Sequence, residues 1–115
     1  SIKNTNTNIE SLSKINSLLS ICAIGKPESF HNSLRSLKIN PLKDLTYSDH
    51  YNFTKKDVDI IIDKIKKYSI KGIVCTEKDW VKLISFQDEI VIPIYAVRLN
   101  YSLNKDIEKT VLRLL

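Results

Sequence analysis

The residues best suited to chemistry fall in two short stretches, Asp49-His50-Tyr51 and Thr76-Glu77-Lys78-Asp79. An imidazole titrates near neutral pH, and a carboxylate beside it can fix its tautomer or steady its proton. Asp49 and His50 are therefore candidates for proton transfer. Chain neighbours seldom point at each other, which predicts a different partner for each. The alternative is a turn, with Asp49 capping the chain ahead of Thr54 and His50 partly exposed. Thr76-x-x-Asp79 has an alternative of its own, because it is a capping-box pattern and acids in a first helical turn suit the dipole. Lys78 fits that account least, as a cation at the positive end of a helix. It would be tolerated between Glu77 and Asp79, or facing a bound anion. The other histidine, His31, falls on the polar side of a predicted helix and is expected at the surface.

The elements that must position these residues alternate along the chain. Residues 1–16 are rich in Ser, Asn and Thr and read as a linker or lead-in, ending in a short helical turn. The apolar run Leu18–Ile24, closed by Gly25, predicts a buried strand. Pro27 opens a helix carrying Phe30, Leu34 and Leu37, which Asn40-Pro41 ends. Leu42–Tyr47 is a weaker, more polar strand, expected nearer a sheet edge. Val58, Ile61, Ile62, Ile65 and Tyr68 form one apolar stripe of a helix, with Thr54 and Asp57 as a capping box. Gly72–Cys75 is a short core strand, followed by a helix capped by Thr76 and bearing Trp80, Val81, Leu83 and Ile84. Ile90–Val97 reads as a long strand, with Pro93 arguing for an edge or a bulge. A final helix is predicted from about Lys105, with Ile107, Val111 and Leu114 on one face.

The order β-α-β-α-β-α-β-α predicts an α/β fold, a small Rossmann-like three-layer domain. Its sheet is expected to be mostly parallel and four-stranded, with right-handed crossovers. Residues 17–115 would form this domain behind the lead-in. In such a sheet the ligand site lies beyond the carboxyl ends of the strands. Gly25-Lys26-Pro27, Ser48–Tyr51 and Thr76–Asp79 all fall on that edge, where helix N-termini favour an anion.

Composition narrows the classes of function. The chain has 115 residues, room for one core, with 43% apolar and 27% charged residues. No apolar run approaches the roughly 20 residues that span a bilayer, and no signal segment opens the chain. Ser1 in place of a starting Met points to an upstream part. The net charge of +5 favours anionic partners in general. Many lysines lie beside acids on helical stretches, as a solvated face would have them. Cys22 and Cys75 sit in apolar runs and read as buried free thiols in a reducing, cytoplasmic setting. With two glycines there is no Gly-rich phosphate cradle. Zinc spacing, a serine elbow and a nucleic-acid surface are equally absent, so neither a metal site nor nucleic-acid binding is expected. The chain lacks a self-contained catalytic apparatus.

Three stretches together resemble a known family: Ala23-Ile24-Gly25-Lys26-Pro27-Glu28-Ser29-Phe30, Tyr47-Ser48-Asp49-His50-Tyr51 and Thr76-Glu77-Lys78-Asp79-Trp80-Val81-Lys82-Leu83. In order and spacing they resemble the C-terminal part of the tetraacyldisaccharide 4'-kinases, the lipid A 4'-kinases of Gram-negative bacteria. Ala23 stands where that family often has Gly, Tyr51 where it often has a second His, and Trp80 where a small residue is common. The resemblance implies transfer of the γ-phosphate of ATP, with Mg²⁺, to the 4'-hydroxyl of a lipid A disaccharide precursor at the cytoplasmic face of the inner membrane. It also implies that a phosphate-binding loop and a membrane-associating segment belong to a missing N-terminal lobe. The catalytic residues of this part would be His50, which works with an acid of that lobe to tune or position the general base, and Asp49, which supports it. Glu77, Lys78 and Asp79 would line the cofactor-binding cleft. Such a piece would be inactive alone.

Two other readings fit the residues less closely. One is a stand-alone Rossmann-like domain that binds an anionic ligand or a protein partner. The other is a metal-dependent phosphoesterase using Asp49 and His50, which would need further ligands that the sequence does not offer.

Overall fold

A computed structural model describes residues 4–8, 12–97 and 110–114. Its centre is four parallel strands. Leu18–Cys22 (β2) pairs with Lys43–Thr46 (β3) on one side and Gly72–Thr76 (β4) on the other, and β4 pairs with Ile94–Val97 (β5). This is the expected α/β arrangement. Asn4–Asn8 (β1) and Thr110–Leu114 (β6) extend the sheet with antiparallel pairing, giving the order β1-β6-β5-β4-β2-β3.

Helices cover both faces. Pro27–Ser36 (α1) joins β2 to β3, with Pro27 in its first turn, and buries Phe30 and Leu34. It packs with Leu18, Cys22 and Val74 on one side of the sheet. Lys55–Tyr68 (α2) joins β3 to β4 and buries Val58 and Ile61 on the opposite face, among Leu19, Ile21, Ile73 and Cys75. Full burial of such side chains contributes about 1.5–3 kcal/mol each. Glu77–Leu83 (α3) follows β4 directly and shares that face through Leu83. The 3-10 turn Ile84–Phe86 and the single helical turn Gln87–Ile90 (α4) then lead to β5.

Every residue of β2 and β4 is buried, as expected of central parallel strands. At Gly72 an added Cβ would lie 2.9 Å from the Tyr95 ring and 3.1 Å from Leu18, so this strand can start only with a bare backbone. β3 is the outer strand and is largely exposed, matching its polar sequence. Cys22 and Cys75 are buried free thiols in the cores on opposite faces, and burial pushes both upward from the ordinary thiol value.

Three elements differ from the sequence expectation. The strand expected over 90–97 begins only at Ile94, because Ile90 ends α4 and Val91 turns with φ 72°. β5 is also an interior strand, between β4 and β6, where a residue without an N–H is excluded; Pro93 stands just ahead of it and its carbonyl accepts from Ile73 N at 2.9 Å. The helix predicted from Lys105 is replaced over Thr110–Leu114 by β6, while residues 105–109 lie outside the described ones. Its apolar spacing of three and four residues satisfied a helical period without a helix forming. Within the lead-in of residues 1–16, Asn4–Asn8 forms β1, an all Asn/Thr strand whose only signal is a pairing partner more than a hundred residues away.

The chain runs outward from β2 to β3 over one face, then returns across β2 to β4 over the other. The carboxyl ends of β2 and β4 therefore diverge to opposite faces. That divergence is the topological switch point at which open α/β sheets place ligands.

Candidate functional site

The loop after β3 and the start of α3 meet at this carboxyl edge. Lys78 Nζ lies 3.1 Å from Asp49 Oδ1. His50 Nε2 lies 3.5 Å from Asp49 Oδ2. All three are open to solvent, with side-chain exposures of 42% for Asp49, 45% for Lys78 and 78% for His50. Asp49 thus reaches a separate partner in Lys78, as expected, while the His50 ring stands beside the same carboxylate. His50 adopts the left-handed region, φ 63°, with its Nε2 beside the neighbouring carboxylate. A non-glycine residue there costs about 1–2 kcal/mol, and such strain collects where surroundings enforce it for a purpose.

Electrostatics suits the arrangement. The hydrogen bond from Lys78 holds the Asp49 carboxyl below the usual carboxylate range, aided by the His50 ring. Gly25 completes the surround: a Cβ on it would sit 3.5 Å from Asp49 Oδ2, so its bare backbone leaves space beside the carboxylate.

Asp79 stands apart from Lys78 although they are adjacent in sequence. It is fully buried, and its Oδ2 accepts from Ala23 N at 2.9 Å and from Thr76 Oγ1 at 3.0 Å. Its own N–H donates to Thr76 Oγ1 at 3.2 Å, which caps α3. Its carboxylate does not return to the Thr76 amide as in a full capping box. It ties α3 across the switch point to the end of β2 instead. Oδ1 is buried with no hydrogen-bond partner among the described residues. Glu77 is exposed at the first position of α3. The structure thus brings Asp49, His50 and Lys78 together and sets Asp79 beneath them.

Sequence reasoning missed the support of the 48–54 loop. Lys82 Nζ donates to the Tyr51 carbonyl at 2.9 Å. The Tyr51 ring stacks on Tyr47 at 4.8 Å, and its hydroxyl donates to Asp57 Oδ2 at 2.7 Å. Asp57 also accepts from Thr54 N at 2.8 Å, while Thr54 Oγ1 accepts from Asp57 N, so the capping box expected for α2 is complete. The available signal was the spacing of Lys78 and Lys82, four apart on one helix. Trp80 is accommodated by its Nε1–H, which donates to Ile94 O at 3.1 Å. His31, expected at the surface, has a side chain only 29% exposed and leans over β3 with Nε2 3.9 Å from Asp44 Oδ1. It borders a cavity of about 250 Å³ that lies on the α1 face.

A family model described as tetraacyldisaccharide-1-P 4'-kinase matches residues 2–115, nearly the whole sequence. The chain belongs to this family. Among curated relatives, the tetraacyldisaccharide 4'-kinase of Chlamydia muridarum is 37% identical over 81 residues, covering 70% of this chain and 22% of that protein. The same enzyme of Koribacter versatilis is 34% identical over 94 residues, 82% of this chain and 29% of that one. The Desulfotalea psychrophila enzyme is 29% identical over 96 residues, 84% and 27% respectively. The chain thus spans about a quarter of the length of the curated relatives it matches. No solved structure matches it.

Proposed function

We propose that this chain is the C-terminal lobe of an ATP-dependent lipid kinase, one that phosphorylates the 4'-hydroxyl of a tetraacyldisaccharide 1-phosphate in lipid A biosynthesis. The observation that carries the reading is the exposed Asp49–His50–Lys78 cluster at the carboxyl edge of the sheet, in a chain of this family. His50 works on the proton of the acceptor hydroxyl, together with an acid of the N-terminal lobe. Asp49 supports His50 by keeping the imidazole oriented. Lys78, with the neighbouring Glu77, forms the nucleotide-facing wall, where a cation offsets phosphate charge, and the buried Asp79 anchors the start of α3 behind it.

ATP supplies the transferred phosphoryl group, and Mg²⁺ neutralises its charge during transfer. The described residues fit part of this. Lys78 is an exposed cation on the right edge, but no group of three His, Cys, Asp or Glu side chains comes together among them to hold a metal ion. On the family resemblance, the phosphate-binding loop belongs to the N-terminal lobe. Phosphoryl transfer depends mainly on positioning and charge, so this lobe is needed for turnover and is inactive by itself. A lipid acceptor fits a full protein that works at the cytoplasmic face of the inner membrane, as the family resemblance implies. Among the described residues no helix is long and apolar enough to cross one.

His50→Ala in the full-length protein is expected to lower kcat by about 10²- to 10⁴-fold while ATP affinity changes little. Unchanged turnover would remove His50 from the mechanism. Tight nucleotide binding by the 115-residue chain alone would favour the stand-alone anion-binding domain instead, since half a cleft binds weakly.

A further inference from the structure

His50 is held from both sides by one helix. Lys78 and Lys82 lie one turn apart on α3, and both reach into the loop after β3. Lys78 Nζ takes Asp49 at 3.1 Å, and Lys82 Nζ takes the Tyr51 carbonyl at 2.9 Å. Between these two attachments stands His50 in its left-handed conformation, φ 63°. A loop fixed at only one of them could relax that backbone toward an ordinary region and swing the ring away from Asp49.

α2 does not need the Lys82 tether. Its N-terminus is fixed by the Thr54–Asp57 capping box and its body by Val58 and Ile61 in the core. The Tyr51 side chain is also held independently, by its hydroxyl on Asp57 and by its stacking on Tyr47. What Lys82 adds is a grip on the backbone immediately after His50. We propose that Lys82 is a positioning residue: with Lys78 it forms a two-point clamp that sets where the His50 imidazole stands relative to α3. The lysine pair couples the loop to the same helix that carries the nucleotide-facing wall, so proton-handling and phosphate-facing groups keep a fixed separation. This inference rests on the reading of His50 as the group that handles the acceptor proton.

The test uses the full-length enzyme with Lys82→Met, Lys82→Arg and His50→Ala, and the His50/Lys82→Met double variant. Lys82→Met is expected to lower kcat by about 10- to 100-fold, as small misplacements do, with KM for ATP little changed. Lys82→Arg, which can still donate to a carbonyl, should restore most of the loss. The double variant should be no slower than His50→Ala alone. The histidine ¹³Cε1 resonance that disappears in His50→Ala should move in Lys82→Met and return toward its wild-type position in Lys82→Arg. An unmoved resonance, or fully additive losses in the double variant, overturns the clamp. If His50→Ala itself leaves kcat intact, the mechanistic reading fails, while the resonance still decides whether Lys82 positions the ring. Should Lys82→Met fail to fold, Lys82→Ala, which likewise has no donor, carries the same measurements, and an unmoved resonance there is equally decisive.

Discussion

Asp79→Ala would leave the Ala23 amide in the core without its acceptor and take away the partner of the Thr76 hydroxyl. A buried donor left unsatisfied costs about 1–3 kcal/mol, so the urea midpoint is expected to fall by that equivalent. A midpoint within error of wild type would show that the β2–α3 tie is dispensable. The Thr76–Asp79 spacing was readable as helix capping because it is local. The bond to Ala23 was not, since its partners are 56 positions apart and nothing in a single sequence brings them together. Asp49 and His50 could be picked out by chemical type, but their mutual contact needed a positive φ that histidine seldom adopts.

At the scale of elements, α2 was the most legible because three independent signals agree on it: the apolar stripe, the capping box and the lysines of the last turn. Thr54→Ala is expected to cost about 0.5–2 kcal/mol, less than the roughly 2–5 kcal/mol of Ile61→Ala, because the cap's hydrogen bonds are exposed and Ile61 is fully buried. Equilibrium unfolding of both variants checks the order, and a cap variant weaker than the core variant would contradict it. Ile90–Val97 and the last helix were misread for a shared reason. Apolar content and short-range spacing are common to strands and helices, and the deciding facts were external. Pro93 had to stand outside an interior strand, and Thr110–Leu114 had both β5 and β1 to pair with. The four parallel strands, by contrast, were recoverable because buried runs and intervening helices repeat with regular spacing.

For the whole molecule, the two carboxylates nearest the site set its response to acid. Lys78 lowers Asp49, and the Thr54 amide with the Tyr51 hydroxyl lowers Asp57. A lowered folded value means stability that is fully present above the unfolded value of about 3.9 and is lost as pH falls through the folded one. Denaturation midpoints should therefore hold at neutral pH and drop below about pH 4. Asp57→Asn should flatten that limb, and an unaltered acid limb in this variant would count against the assignment. At the other extreme, burial and then Asp57 push Tyr47 up to about 12. That contribution is complete below the unfolded tyrosine value of about 10 and fades as pH rises toward 12. The backbone turn at His50 has a further consequence for how such a molecule could be engineered. Net stability of a domain is typically about 5–15 kcal/mol, so the 1–2 kcal/mol held in that one conformation is a sizeable share. Selection for heat resistance alone would drift toward glycine at position 50, gaining robustness by discarding the imidazole, so durability and the role proposed for His50 pull this position in opposite directions.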